Sequence, residues 1–182
     1  LPLQLRWINL TDTLLGLPLA FEPKAGNVMR RPPRPPQQPL LTFPLFMRTG
    51  LVSLLMLEGA LWLFTWEMRV EGETIAAART AVVNVIVFVE IAYLFNCRSL
   101  KHSFFSVGFL SNRWVIVGSL AMLATQLCFT YAPVMNKLFH TAPISGESWL
   151  RILAVSAVVF TAVEIEKWIR CGGRRGEHVT PE

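Results

Sequence analysis

The chain has 182 residues, of which 53% are hydrophobic and only 16% charged, where a soluble domain usually carries about 25% charge. The apolar residues recur in separate runs of roughly 20, the length a helix needs to cross a ~30 Å hydrocarbon core, which excludes an ordinary soluble domain. The net charge of +5 does not point to nucleic acid, because the basic residues stand at the ends of the apolar runs, where a bilayer accounts for them.

The first apolar segment covers about residues 1–21 and is interrupted by Asn9, Thr11, Asp12 and Thr13, with Gly16 and Pro18 downstream, so an irregular helix is expected. Residues 22–42 hold RRPPRPPQQP, whose successive prolines forbid a helix and favour an extended path. The second segment, about 43–66, contains Glu58 and ends on Trp62 and Trp66; the third, about 75–95, contains Asn84 and Glu90. A basic stretch with Arg98, Lys101 and His102 leads to the fourth segment, about 114–131. Residues 132–147, with Pro133 and Pro143, read as a loop, and the fifth segment covers about 148–169. A polar tail, 171–182, follows. The fold class is therefore all-α: a polytopic transmembrane helix bundle of about five membrane-spanning helices occupying residues 1–170.

Five crossings put alternate loops on alternate sides. One side collects Lys24, Arg30, Arg31, Arg34, Arg98, Lys101, Arg113, Arg170, Arg174 and Arg175, and the other Arg69 and Lys137. The bias places the Pro-rich loop, the Arg98–Lys101 loop and the C-terminus in the cytoplasm of a multi-pass cell-membrane protein. The six tryptophans lie mostly near segment ends, as an aromatic belt would. Cys97, Cys128 and Cys171 have neither metal-ligand spacing nor a disulfide framework and read as free thiols. No signal peptide is evident, and a chain opening on Leu1 inside an apolar stretch has the look of a fragment.

Polar groups inside a bilayer are costly, about 2.5–3.5 kcal/mol for a central Asp, and persist where they pair, line a wet path or bind an ion. Asn9, Thr11 and Asp12 offer amide, hydroxyl and carboxylate oxygens, hard ligands for a cation, to which an unwound helix would add carbonyls. Asp12 could instead cap a half-helix or pair with Arg6. Glu90, with Asn84 on the same segment, is either a second cation ligand or a carboxylate holding helices together. Glu58 could line an exit path or, the better reading, hydrogen-bond a neighbouring helix. Glu164 with Lys167, and Glu166 with Arg170, are pairs that weakly support a helix end. The SGES stretch at Ser145 reads as a helix cap.

The stretch WINLTDTLLGLPLAFEPKAGNVMRRPPR, residues 7–34, resembles the sixth transmembrane helix and following loop of P-type cation-transporting ATPases of bacterial type. VEIAYLFNCRSL resembles their eighth helix, NRWVIVGSLAMLATQLCFTYAP the ninth, and SWLRILAVSAVVFTAVEIEKWIR the tenth, so the likeness runs to about Arg170. It implies that Asn9, Asp12 and Thr11 are cation ligands, that Glu90 is a ligand or lines the site, and that residues 22–42 couple the membrane helices to a phosphorylation domain. Calcium pumps space the asparagine and aspartate four apart, whereas Asn9 and Asp12 are three apart, which leaves the ion open among calcium, protons, sodium, magnesium and manganese.

The sequence has no DKTGT phosphorylation motif and no GDGxND hinge. The chain alone is therefore expected to hold no cofactor and to hydrolyse no ATP; ATP and Mg would belong to the intact pump only. Its expected partners are the lipid bilayer and the pump's preceding helices and cytoplasmic domains, with no nucleic acid. The rival readings are a truncated or stand-alone membrane scaffold that binds a partner, and a small secondary carrier, against which the lack of repeated halves counts.

Overall fold

A computed structural model describes residues 2–21, 42–97 and 112–173, excepting the side chains of residues 2 and 171–173. The expectations for the Pro-rich loop, for the basic loop after Cys97 and for the polar tail lie outside the described residues. Every described element is helical. The helices are α1 (Pro2–Gly16), continued by a 3-10 turn (Leu17–Phe21), α2 (Phe43–Arg69), α3 (Ile75–Cys97), α4 (Arg113–Tyr131), a short α5 (Pro133–Phe139) and α6 (Gly146–Gly173).

Four of these, α2, α3, α4 and α6, are long and apolar enough to cross a membrane. The first segment, expected as a crossing, has only 15 α-helical residues. Pro18 has no N–H to donate back along the helix, and the chain tightens into the 3-10 turn there. Helix and turn together still extend about 30 Å. The stretch read as a loop at 132–147 contains α5, which starts on Pro133 at a position where the missing N–H costs nothing. It ends on His140 in the left-handed region, φ 52. The tight α2–α3 turn passes through Gly72 at φ 67, where a side chain would be strained.

The ends follow from local chemistry. Pro44 falls in the first turn of α2 after Thr42. The Asn112 side chain accepts from the Trp114 N–H and caps α4. Ser145 Oγ accepts from the Ser148 N–H at 3.1 Å, so the SGES stretch is the helix cap its sequence suggests.

Helix α3 is the hub, packed against α6, α2, α1 and α4. It is apolar nearly all round, with Ala77, Ala78, Ala81, Val83, Val85, Val87 and Val89 buried, as suits a helix with neighbours on several sides. Its small residues allow close approach of neighbours in a setting where packing, not hydrophobicity, drives association. Ala81, Val85 and Val89 meet Leu63, Ile152 and Val163 of α2 and α6. Val87 and Leu94 meet Leu15, Val115 and Met122. Val83 meets Trp7 and Phe129.

Ion pairs fix the directions of the helices. Arg48, early in α2, is within 2.9 Å of Glu166, late in α6. Arg151, early in α6, reaches Glu67 at 3.4 Å and Glu71 just beyond α2, with Glu147 at 3.1 Å. Helices α2 and α6 are thus antiparallel. Lys167 bonds the Asn96 carbonyl at 2.9 Å, so α3 and α6 run parallel. Asn112 donates to the Pro18 carbonyl at 3.3 Å, which joins the end of the first segment to the start of α4. The start of α2 and the ends of α3 and α6 therefore share one end of the bundle, as an alternating chain requires.

Gly118 of α4 is the closest approach to the 3-10 turn: a Cβ there would lie 2.5 Å from Pro18 Cγ. Gly118→Ala is expected to lower stability by about 1–3 kcal/mol, since neither a helix backbone nor a proline ring can give way. Gly50→Ala, with nothing within 4 Å, is expected to be neutral or to stabilise by up to about 1 kcal/mol. Thermal melts of the detergent-solubilised variants compare the two; equal melting temperatures would deny the close contact.

Candidate functional site

Helix α1 has two unlike faces. Gln4, Trp7, Thr11 and Leu15 are buried and repeat at helical spacing, continued by buried Pro18. The rest of the helix is largely exposed, including Arg6, Asn9, Asp12 and Thr13. The buried stripe is held by specific bonds: Gln4 Nε2 donates to the Phe139 carbonyl at 2.9 Å, and Trp7 Nε1 donates to Gln126 Oε1 at 3.1 Å. Trp7 also stacks on Phe129 with ring centroids 5.0 Å apart. It is therefore a core residue, not a member of an interfacial belt; its ring nitrogen found a buried amide instead of water.

The four candidate ligands divide between these faces. Asn9 and Asp12, three residues apart, share the exposed face. Thr11 is on the buried face, 1% exposed, and its hydroxyl donates to the Ile8 carbonyl at 2.7 Å. Glu90 is half-buried on α3, and its Oε2 is enclosed with no hydrogen-bond partner among the described residues. The structure keeps Asn9 beside Asp12 on the exposed face of α1, sets Glu90 on α3, which packs against α1, and turns Thr11 inward.

Two local alternatives for Asp12 are not seen: α1 runs unbroken through it, so it caps no half-helix, and no ion pair with Arg6 occurs among the described residues. The unwinding that would expose carbonyls at Asn9–Asp12 is also not seen; the helix changes character only at Leu17. Asn84, grouped with Glu90 by sequence, is fully buried and structural. Its Nδ2 donates to the Thr80 carbonyl at 2.9 Å and to Thr130 Oγ1 at 3.0 Å, which ties α3 to α4. Among the described residues no three of His, Cys, Asp and Glu converge as a metal-holding group. The oxygens present are a carboxylate and an amide on the exposed face of α1 and the half-buried carboxylate of Glu90 on α3.

Sequence reasoning missed Gln126, which is 0% exposed in α4 and anchors Trp7. An amide in an otherwise apolar run was the available signal. It also undervalued Lys167, which is 3% exposed and bonds Asn96 of α3 as well as Glu164.

Four membrane-length helices with carboxylates inside their apolar segments define a polytopic membrane protein in which intramembrane charge is retained. The profile of the family described as cation transporting ATPase, C-terminus, matches residues 1–169, and the chain belongs to that family, the membrane part of a P-type ATPase. The probable cation-transporting ATPase F of Mycobacterium tuberculosis strain H37Rv is 49% identical over 164 residues, 90% of this chain and 18% of that protein. The cation-transporting ATPase pma1 of Synechocystis is 32% identical over 158 residues, 82% of this chain and 17% of its own length. The mouse calcium-transporting ATPase type 2C member 2 is 28% identical over 166 residues, 91% of this chain and 18% of its own length. The chain spans a little under a fifth of the length of these relatives.

Proposed function

We propose that this chain forms one side of the cation path of an ATP-driven pump, with Asn9, Asp12 and Glu90, and Thr11 as a lesser contributor, giving oxygens to the ion. The observation that carries this reading is the pair of exposed polar side chains Asn9 and Asp12 on α1, together with the enclosed, unpartnered Oε2 of Glu90 on α3, the helix against which α1 packs. Carboxylates on two packed helices of a membrane bundle are costly unless a cation or proton neutralises them. The remaining ligands come from helices preceding residue 1 in an intact pump. Cytoplasmic domains from the same protein bind ATP with Mg and undergo phosphorylation, and residues 22–42 relay their movement.

Orientation follows the charge bias: residues 22–42, the segment after Cys97 and the C-terminus face the cytoplasm of the cell, and the α2–α3 turn and α5 face outside. The test uses the full-length protein in inside-out vesicles. Cation flux driven by ATP added to the medium, absent without ATP, is the expected result. With Cys97, Cys128 and Cys171 replaced, Lys101→Cys should react with an impermeant maleimide in the same vesicles and Glu73→Cys should not. Flux independent of ATP would favour a carrier, and reversed labelling would invert the assigned topology.

A further inference from the structure

Helix α1, which carries Asp12, meets α3, which carries Glu90, through apolar side chains. Trp7 shares a cluster with Val83, and Leu15 shares one with Val87 and Leu94. Apolar packing has no preferred direction, so it keeps two helices adjacent without fixing how either is turned about its own axis. The directional bonds of α1 run to α4 and α5 instead. Gln4 bonds the Phe139 carbonyl, and Trp7 Nε1 donates to Gln126 Oε1 at 3.1 Å.

Gln126 is the junction of a buried polar network. An indole N–H only donates, so Trp7 fixes which end of the Gln126 amide faces α1. The other end, Nε2, is enclosed with no hydrogen-bond partner among the described residues. An unpaired buried N–H is costly, and what α1 receives in exchange is the oxygen. The backbone carbonyl of Gln126 accepts from Thr130 Oγ1 at 2.9 Å, and Thr130 Oγ1 accepts in turn from Asn84 Nδ2 of α3 at 3.0 Å. One turn earlier on α3, Thr80 Oγ1 accepts from the Ala142 N–H at 3.0 Å. One residue of α4 thus joins the helix of Asp12 to the helix of Glu90. Asp12 lies about 8 Å along α1 from Trp7, and Glu90 about 9 Å along α3 from Asn84.

We propose that Gln126 is a positioning residue for the cation path: through Trp7 it sets the rotation of α1, and with it where Asn9 and Asp12 stand relative to Glu90. The inference rests on the reading of those side chains as cation ligands. A turn of α1 by about 20° swings a side-chain oxygen at about 5–6 Å from the axis by about 2 Å, whereas a binding constellation tolerates about 0.5 Å.

The test uses the full-length protein. Phosphorylation from ATP is titrated with calcium, sodium, magnesium and manganese chlorides and with pH, and the cation that drives it is carried through the variants. Gln126→Leu leaves the Trp7 N–H buried and unpaired but keeps the backbone carbonyl that Thr130 uses. It is expected to melt lower and to raise the half-maximal cation concentration about tenfold. Trp7→Phe combined with Gln126→Leu removes both partners and keeps an aromatic ring against Phe129; such paired replacement recovers stability. The double variant is expected to melt above Gln126→Leu and still to need about tenfold more cation. It carries the test by itself if the single variant does not fold. Affinity that returns together with the melting temperature would make the bond structural only and overturn the proposal. Asp12→Asn, run alongside, separates the two readings. If it shifts the half-maximal concentration and the double variant does not, the positioning role alone falls; if Asp12→Asn shifts nothing either, the ligand reading falls and this one with it.

Discussion

Asp12→Asn in the full-length protein is expected to raise the cation concentration needed for half-maximal phosphorylation from ATP by about ten- to a hundredfold. The substitution keeps the size of the side chain and one carbonyl oxygen, so it isolates the charge. Losing a charged bond to the ion costs about 1.5–3 kcal/mol, and each 1.4 kcal/mol is about tenfold in affinity. Packing is not disturbed, because Asp12 lies on the open face of α1 and the bonds that hold that helix come from Gln4 and Trp7. Glu90→Gln should act in the same direction, since its Oε2 is enclosed without a partner among the described residues, on the helix that packs against α1. Thr13→Val is the control on the exposed face. That hydroxyl already donates to the Asn9 carbonyl at 2.9 Å, and its loss should leave the affinity unchanged. An unaltered affinity in Asp12→Asn would remove this carboxylate from the ion's path.

What sequence revealed and what it concealed divide by the range of the interaction. The four long helices are legible because apolar length is a local property: the runs expected at 43–66, 75–95, 114–131 and 148–169 became helices ending within a few residues of those bounds. Their overrun is polar. Glu67 and Arg69 extend α2, and Asn96 and Cys97 extend α3, because pairing or bonding at the helix ends makes those polar residues acceptable there. The candidate ligands were legible because a carboxylate in an apolar run is conspicuous. Which of them converge was not. Asn84 and Glu90 lie six positions apart on one helix, yet Asn84 is spent on Thr130 while Glu90 Oε2 is enclosed without a partner. Thr11 sits beside Asp12 in sequence, yet the turn of about 100° per residue leaves it buried while Asp12 is exposed. Trp7 looked interfacial from its place near a segment end, and only the fold supplies Gln126 for its ring nitrogen.

The same limit applies at the end of α3, where the second large effect is expected. By spacing, Glu164 and Lys167 are a weak helix pair, about 0.2–0.5 kcal/mol. In the structure Lys167 is 3% exposed, and its Nζ is 2.9 Å from the Asn96 carbonyl, 3.2 Å from Asn96 Oδ1 and 2.9 Å from Glu164. It places a positive charge on the last turn of α3, where the helix dipole is negative, and joins α3 to α6. Lys167→Met keeps the length of the side chain and removes the ammonium. It is expected to cost about 3–5 kcal/mol, seen as a melting temperature lower by on the order of 10 °C for the detergent-solubilised protein. Arg170→Met removes a half-exposed partner of Glu166, which keeps Arg48 at 2.9 Å, and should cost below about 1 kcal/mol. If the two variants melt together, the buried contact contributes no more than a surface pair. The consequence reaches the cation path, because Glu90 stands about 9 Å up α3 from Asn96. Loosening that end lets the helix carrying Glu90 shift against α1, so Lys167→Met should also weaken cation binding although Lys167 touches no ion. A normal affinity in a destabilised Lys167→Met protein would separate the anchoring of α3 from the placement of its carboxylate.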